Sequence, residues 1–109
     1  MQVKEIDVTE LKSRLDSGAN IRLLDIRSDA ELMAGMLPQS EHLAMHLIPL
    51  KMQEFSADPE QEVVLYCRSG ARSYHACMYL IQQGIDNVVN LRGGIIAWAQ
   101  QGFDLQRKR

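Results

Sequence analysis

The run Val63-Val64-Leu65-Tyr66 is continuously apolar, and the seven residues after it, Cys67-Arg68-Ser69-Gly70-Ala71-Arg72-Ser73, change character at once. An unbroken apolar run bounded by turn residues is what a strand buried on both faces of a parallel sheet requires. A helical pattern opens near Gly70 and reaches about Gln83, with Ala71, Tyr74, Cys77, Met78 and Ile81 marking its inner side and Gly84 closing it. Strand, short turn and helix in this order put a cysteine and two arginines between a strand end and a helix start. Backbone N–H groups and the helix dipole at such a place favour an anion, or a thiolate.

The rest of the chain alternates in the same way. Lys4-Glu5-Ile6 reads as a short strand, and Thr9 as the cap of a helix over 10–16 with Leu11 and Leu15 inward and Gly18 at its end. Residues 22–26 read as a strand. Ser28 caps a second helix, with Glu31 three residues on, Leu32 and Met36 on one side and Pro38 as its stop. Residues 42–45 are a strand candidate, 50–55 a short helix, and Asp58-Pro59-Glu60 a surface turn. Val88-Val89-Asn90-Leu91 is the last strand, and Gly93-Gly94 leads into a helix containing Ile96, Trp98 and Ala99. The alternation predicts one α/β domain over 1–109, with a central, mainly parallel five-stranded sheet and helices on both faces. Such sheets place ligand groups in loops at the carboxyl ends of strands, where Cys67 falls.

Composition narrows the class further. A formal net charge of −2 gives no global reason to expect nucleic acid or an acidic membrane as partner. The basic end Arg107-Lys108-Arg109 reads as a solvated terminus. Two cysteines, Cys67 and Cys77, are too few for a secreted disulfide framework. The N-terminus lacks an apolar signal core, and no stretch approaches a membrane span, so a reduced, cytoplasmic setting is expected.

Three ordered segments carry a family resemblance. Cys67-Arg68-Ser69-Gly70-Ala71-Arg72-Ser73 resembles the active loop of the rhodanese family, in particular its single-domain sulfurtransferases. Asp25-Ile26-Arg27 followed by Glu31 and Gly35 is similar to the family's Asp-x-Arg…Glu…Gly segment. Leu91-Arg92-Gly93-Gly94-Ile95-Ile96-Ala97-Trp98, with Gly102, is similar to its closing Gly-Gly…Trp segment. The resemblance covers almost the whole chain and departs in one region. Gly35-Met36-Leu37-Pro38-Gln39-Ser40 stands where many relatives have Gly-His-Ile-Pro-Gly-Ala, and His42-Leu43-Ala44 replaces the usual Asn-Ile-Pro. That departure bears on loop geometry and substrate approach more than on fold.

The resemblance implies a rhodanese fold and a catalytic Cys67 that alternates between thiol and persulfide, taking the outer sulfur of a donor such as thiosulfate. A thiophilic acceptor (cyanide, a small thiol or a protein cysteine) would then remove it. A thiolate is both nucleophile and leaving group, and the loop is suited to hold one. Arg72 is expected to bind the oxyanion end of the donor, with Arg68 as the second candidate ligand or a source of electrostatic attraction only. Ser69 and Ser73 can supply hydroxyls, Ser73 alternatively capping the first helical turn; Gly70 permits close backbone approach, and Ala71 completes the binding loop.

Supporting roles fall to Asp25, Arg27, Glu31 and Arg92. Arg27 and Glu31, four apart, suit an ion pair that holds the neighbouring loops, and Arg92 would border the pocket. Trp98 is expected to anchor a helix on the sheet. Cys77 could resolve an oxidised Cys67, but a helix would carry it about 10 Å away, so core packing is the preferred role. His42 and His46 do not have zinc-site spacing in a strand, and His75 is a rim candidate. No metal and no cofactor are expected.

Two other classes compete. Cysteine phosphatases and arsenate reductases also use a cysteine in an oxyanion cradle ending in arginine. Phosphatases of this general architecture place five residues between the two, whereas Cys67 and Arg72 enclose four, a tighter loop that favours sulfur. A non-catalytic partner-binding module is the other class; the intact cysteine loop argues against it. A protein-to-protein sulfur relay with little thiosulfate activity would need the same persulfide.

Overall fold

The described residues form five strands: β1 Lys4–Ile6, β2 Ile21–Asp25, β3 Ser40–His42, β4 Glu62–Tyr66 and β5 Val88–Leu91. They form one sheet in the order β1-β5-β4-β2-β3, with every pairing parallel. This computed structural model describes residues 2–107, so Lys108 and Arg109 of the basic end lie outside the described residues. No helix among the described residues is long and apolar enough to cross a membrane.

The central place of β4 explains its composition. Val63 and Leu65 face one layer with Leu24, Ile26, Phe55, Ala76, Cys77 and Leu80. Val64 and Tyr66 face the other with Leu11, Leu23, Val89, Ile95 and Trp98. A strand sandwiched between two layers cannot alternate polar with apolar, because period-two alternation would bury the polar half. The helices are α1 Val8–Asp16, α2 Asp29–Leu32, α3 Met52–Ser56, α4 Ala71–Gln82 and α5 Gly94–Gln100, with a 3₁₀ turn at Met45–Leu50. Trp98 anchors α5: its ring is buried edge-on to Phe103, and its N–H donates to the Asp104 carbonyl at 2.8 Å.

Several elements differ from the expectation. The cap of α1 is Asp7, not Thr9; its carboxylate accepts the Glu10 N–H at 2.8 Å, and the helix starts two residues early. Ser28 does open α2, and its N–H and hydroxyl both donate to Glu31 Oε1. However, α2 is a single turn rather than a helix reaching Pro38. The buried Arg27 guanidinium takes the carbonyls of Glu31 and Gly35, at 3.3 and 2.7 Å, and Met36 pairs instead with Gln106 in an antiparallel bridge. β3 ends at His42, after which the chain enters the 3₁₀ turn.

The inner face of α4 is Ser73, Ala76, Cys77 and Leu80, while Ala71 and Tyr74 face outward. Spacing of 0, 3, 4 and 7 is an ideal helical stripe. Apolar periodicity missed its first member because that member is a serine. The departing segment is tied to the centre of the sheet, since the buried Tyr66 hydroxyl accepts the Leu37 N–H at 3.0 Å and lies 3.1 Å from Ser40 Oγ.

From β2 the chain passes to β3 on one side, and from β4 to β5 on the other. The crevice of such a sheet opens between the two strands where direction reverses, at their carboxyl ends. Asp25-Ile26-Arg27 and Cys67 meet there, Ile26 N–H donating to Tyr66 O at 3.0 Å.

Candidate active site

The loop that follows β4 wraps its backbone around one sulfur. Cys67 is buried, and its Sγ accepts the Gly70 N–H at 3.2 Å, with the Ser73 hydroxyl at 3.5 Å. Burial pushes the thiol up. The Ser73 hydroxyl and the N–H groups of Ser73, Gly70 and Ser69 outweigh it and hold the thiol below its ordinary value. Sulfur at the N-terminus of the 12-residue α4 also gains from the helix dipole.

The loop is held from below by the Gly93-Gly94 turn. Ile95 N–H donates to the Cys67 carbonyl at 3.0 Å and Ile96 N–H to the Arg68 carbonyl at 3.1 Å. A Cβ on Gly94 would sit 2.5 Å from Arg68 O and 2.6 Å from Cys67 O. Gly70, at φ 101°, lets the loop close over this floor; a Cβ there would meet Gly93 N at 3.2 Å and Leu91 O at 3.3 Å.

The charged residues pair differently from what their sequence spacing suggests. Arg27 does not ion-pair with Glu31. Its guanidinium grips buried Asp25, Nε to Oδ1 at 3.0 Å and Nη2 to Oδ2 at 2.7 Å, because α2 is too short to present Glu31 along a helix face. Glu31 reaches across 41 residues of sequence to Arg72, accepting from Nη1 at 2.8 Å and Nη2 at 2.7 Å. The Arg72 fork holds the Glu31 carboxyl down at about 2.

An Asp or Glu held below its unfolded value, about 4.3 for Glu, stabilises the fold above that value and loses the contribution as pH falls toward the folded one. We expect Glu31→Gln to cost about 1 kcal/mol at pH 7, solvent screening having reduced the effect because Arg72 is 41% exposed. The gap between the urea midpoints of wild type and variant should narrow as pH falls from about 4.5 toward 2, the window set by these two values.

Two open grooves flank the loop. One, of about 390 Å³, is lined by Arg27, Glu31, Gly35, Arg68, Ile95 and Leu105. The other, of about 410 Å³, is lined by Ile26, Arg27, Ala44, Met45, His46 and Arg72. The Glu31–Arg72 pair contributes one residue to each. Arg68, Ser69 and Ala71 are exposed on the loop. Arg92 lines neither groove; its exposed side chain turns to Asp7, 4.0 Å away. His75 faces outward beside Tyr74. His42 donates from Nε2 to the Arg27 carbonyl at 2.7 Å. Cys77 is wholly buried in the apolar layer, and desolvation pushes its thiol up to about 12.

Two contributors went unread in the sequence. The amides of Ile95 and Ile96 are backbone groups, on which residue identity is silent. Asn90 had a legible signal: it is the one polar residue in the run Val88-Val89-Asn90-Leu91, and a buried amide in a core strand must have partners. Its Oδ1 lies 2.5 Å from Ser73 Oγ, and its Nδ2 donates to Glu5 Oε2 at 2.8 Å and to the Gly70 carbonyl at 3.2 Å.

A parallel sheet ending in a cysteine cradled by loop and helix N–H groups defines the class of α/β domains built around a thiol held below its ordinary value. Residues 7–101 match the model of the rhodanese-like domain. A sulfurtransferase of Allochromatium vinosum is 53% identical over 103 residues, 94% of each chain. A thiosulfate sulfurtransferase of Pseudoalteromonas translucida is 33% identical over 98 residues, 90% of each chain. The crystal structure of a rhodanese-like domain protein from Staphylococcus aureus superposes with a TM-score of 0.84 at 32% identity, over 98% of this chain and 100% of that one. The chain belongs to the rhodanese-like domain family. These relatives support sulfur-transfer chemistry of the rhodanese type.

Proposed function

We propose that the protein is a thiosulfate sulfurtransferase that carries sulfane sulfur on Cys67. The observation that carries this reading is the thiol held below its ordinary value by N–H and hydroxyl donors within a four-residue Cys67–Arg72 spacing. The Cys67 thiolate attacks the outer sulfur of thiosulfate; the S–S bond to the sulfonate sulfur breaks and its electron pair leaves with sulfite. Cys67 then bears a persulfide whose terminal sulfur is the electrophile for cyanide, a thiol or a protein cysteine. The acceptor takes that sulfur, and the bond's electron pair returns to Cys67 as thiolate. No outside oxidant or reductant is needed.

Arg72 has the directing role. Glu31 occupies one edge of its guanidinium, leaving three of five N–H donors for a donor oxyanion approaching along the groove of Met45 and His46. Arg68, exposed on the loop, adds attraction at longer range, which salt screens. Asp25, Arg27 and Glu31 hold the loops on either side, and Arg92 acts at most as distant positive charge. A phosphoryl group fits the reading less well, because the shorter spacing closes the N–H donors onto one sulfur.

Incubating the reduced protein with thiosulfate should raise its intact mass by one sulfur atom, and added thiol or cyanide should remove it. A protein that gains no mass from thiosulfate, yet gains it from a protein persulfide, would overturn thiosulfate as donor and leave the relay. Gain from neither would overturn the sulfur carrier altogether.

A further inference from the structure

Ser73, Asn90 and Cys67 form a buried chain with one proton too few. Asn90 Nδ2 faces two groups that can only accept as they stand, the Glu5 carboxylate at 2.8 Å and the Gly70 carbonyl at 3.2 Å. That fixes the amide orientation and leaves Oδ1, an acceptor, directed at Ser73 Oγ at 2.5 Å. Ser73 must therefore give its only hydroxyl proton to Asn90 in that contact. Yet the same oxygen lies 3.5 Å from Cys67 Sγ, which as a thiolate draws the hydroxyl proton in addition to the N–H groups of the loop. Ser73 and Asn90 are both buried, at 0% and 1% exposure, so water is a poor substitute for either partner.

We propose that Asn90 is a positioning residue that competes with Cys67 for the single hydroxyl proton of Ser73. With the thiol, the chain runs Cys67 S–H to Ser73 Oγ and Ser73 O–H to Asn90 Oδ1. With the thiolate, the Ser73 proton turns to the sulfur and Asn90 Oδ1 gives up its partner. Removing the charge from Sγ, by protonation or by forming a bond to it, returns the proton to Asn90. Asn90 thereby sets how readily Cys67 ionises without touching it. This holds for the thiol itself and rests on the sulfurtransferase reading only for its use in turnover.

The charged groups around this chain are each paired, and Arg72 also acts on Cys67 through its charge. Glu5 from β1 is held by Asn90, Asp25 from β2 by Arg27, and Arg72 from α4 by Glu31; Arg92 after β5 turns to Asp7. Cys77, beside Ser73 on the inner face of α4, stays protonated across the range measured.

The test is the pH dependence of Cys67 alkylation by iodoacetamide, read by peptide mass so that any modification of Cys77 is counted separately, in a double-mutant cycle of Ser73→Ala and Asn90→Ala. Ser73→Ala should raise the midpoint by about one to two pH units, since it removes a hydrogen bond to a charged sulfur. Asn90→Ala should lower it by about half a unit to one unit when Ser73 is present and leave it unmoved in the Ser73→Ala background. Equal shifts in both backgrounds, or a rise on Asn90→Ala alone, would overturn the proposal and assign Asn90 to holding the Gly70 carbonyl. If Asn90→Ala fails to fold, Glu5→Gln/Asn90→Asp keeps a partner for Ser73 Oγ and for position 5 and loses only the donor to the Gly70 carbonyl. It should raise the midpoint more with Ser73 than with Ala at 73, and equal rises would overturn the proposal. Sulfur loading is not read in any arm, so failure here is distinct from failure of the sulfurtransferase assignment.

Discussion

Cys67→Ser should lose sulfur transfer from thiosulfate to cyanide by at least about a thousandfold, with its urea midpoint close to that of wild type. The hydroxyl is nearly isosteric and can accept the Gly70 N–H that Sγ accepts, so the loop keeps its anchor. What it cannot do is ionise. The donors around position 67 lower a thiol whose ordinary value is about 8.5, but an alcohol starts many units higher. An oxygen would also be a poor leaving group in the second half of the cycle, where the carrier must depart as an anion. Thiocyanate formation measures the rate, and intact mass after thiosulfate measures the carrier. A variant that still loaded sulfur would move the carrier off Cys67.

Gly94→Ala should be the most damaging single-methyl change in the protein. At Gly94 the new Cβ would lie 2.5 Å from Arg68 O, 2.6 Å from Cys67 O and 2.7 Å from Arg68 C, all backbone atoms of the active loop. No side-chain rotation relieves such a contact, so either the loop lifts or α5 withdraws, breaking the Ile95 and Ile96 hydrogen bonds to the Cys67 and Arg68 carbonyls. Overpacking and left-handed backbone together should cost about 2–5 kcal/mol. Any loop displaced from its donors should also return the Cys67 alkylation midpoint toward that of a free thiol. Gly84→Ala is the control: its φ is 90°, but nothing lies within 4 Å of the added methyl. Its cost should be the backbone strain alone, about 1 kcal/mol. Urea unfolding of the pair separates the two contributions, and equal costs would show that the close approach beneath the loop is soft.

Much of the fold was legible because it depends on local order. The continuous apolar run at 63–66, short and bounded by turn residues, reads as a strand covered on both sides, and the cysteine loop then opens at its carboxyl end. The capping pair Ser28 and Glu31 announced the start of α2, since both partners lie within one turn. Its early end was not legible. The carbonyls of Glu31 and Gly35 are taken by a guanidinium that sits before the helix begins, and apolar spacing carries no record of that.

Sequence alone determined the alternation of strands and helices, the place of Cys67 between the central strand and a helix N-terminus, and the family to which those segments are similar. Tertiary structure alone decided which charges meet. Arg27 turns to Asp25 and Glu31 to Arg72, although Arg27 and Glu31 have the better spacing for a helix pair. Only the assembled sheet brings Asn90 of β5 against Ser73 of α4, 17 residues away, and slides the Gly93-Gly94 turn under the loop. The physical reason is range. Periodicity and capping are set by neighbours within a turn or a pleat, whereas a buried polar group takes whatever partner the register of distant strands delivers to it.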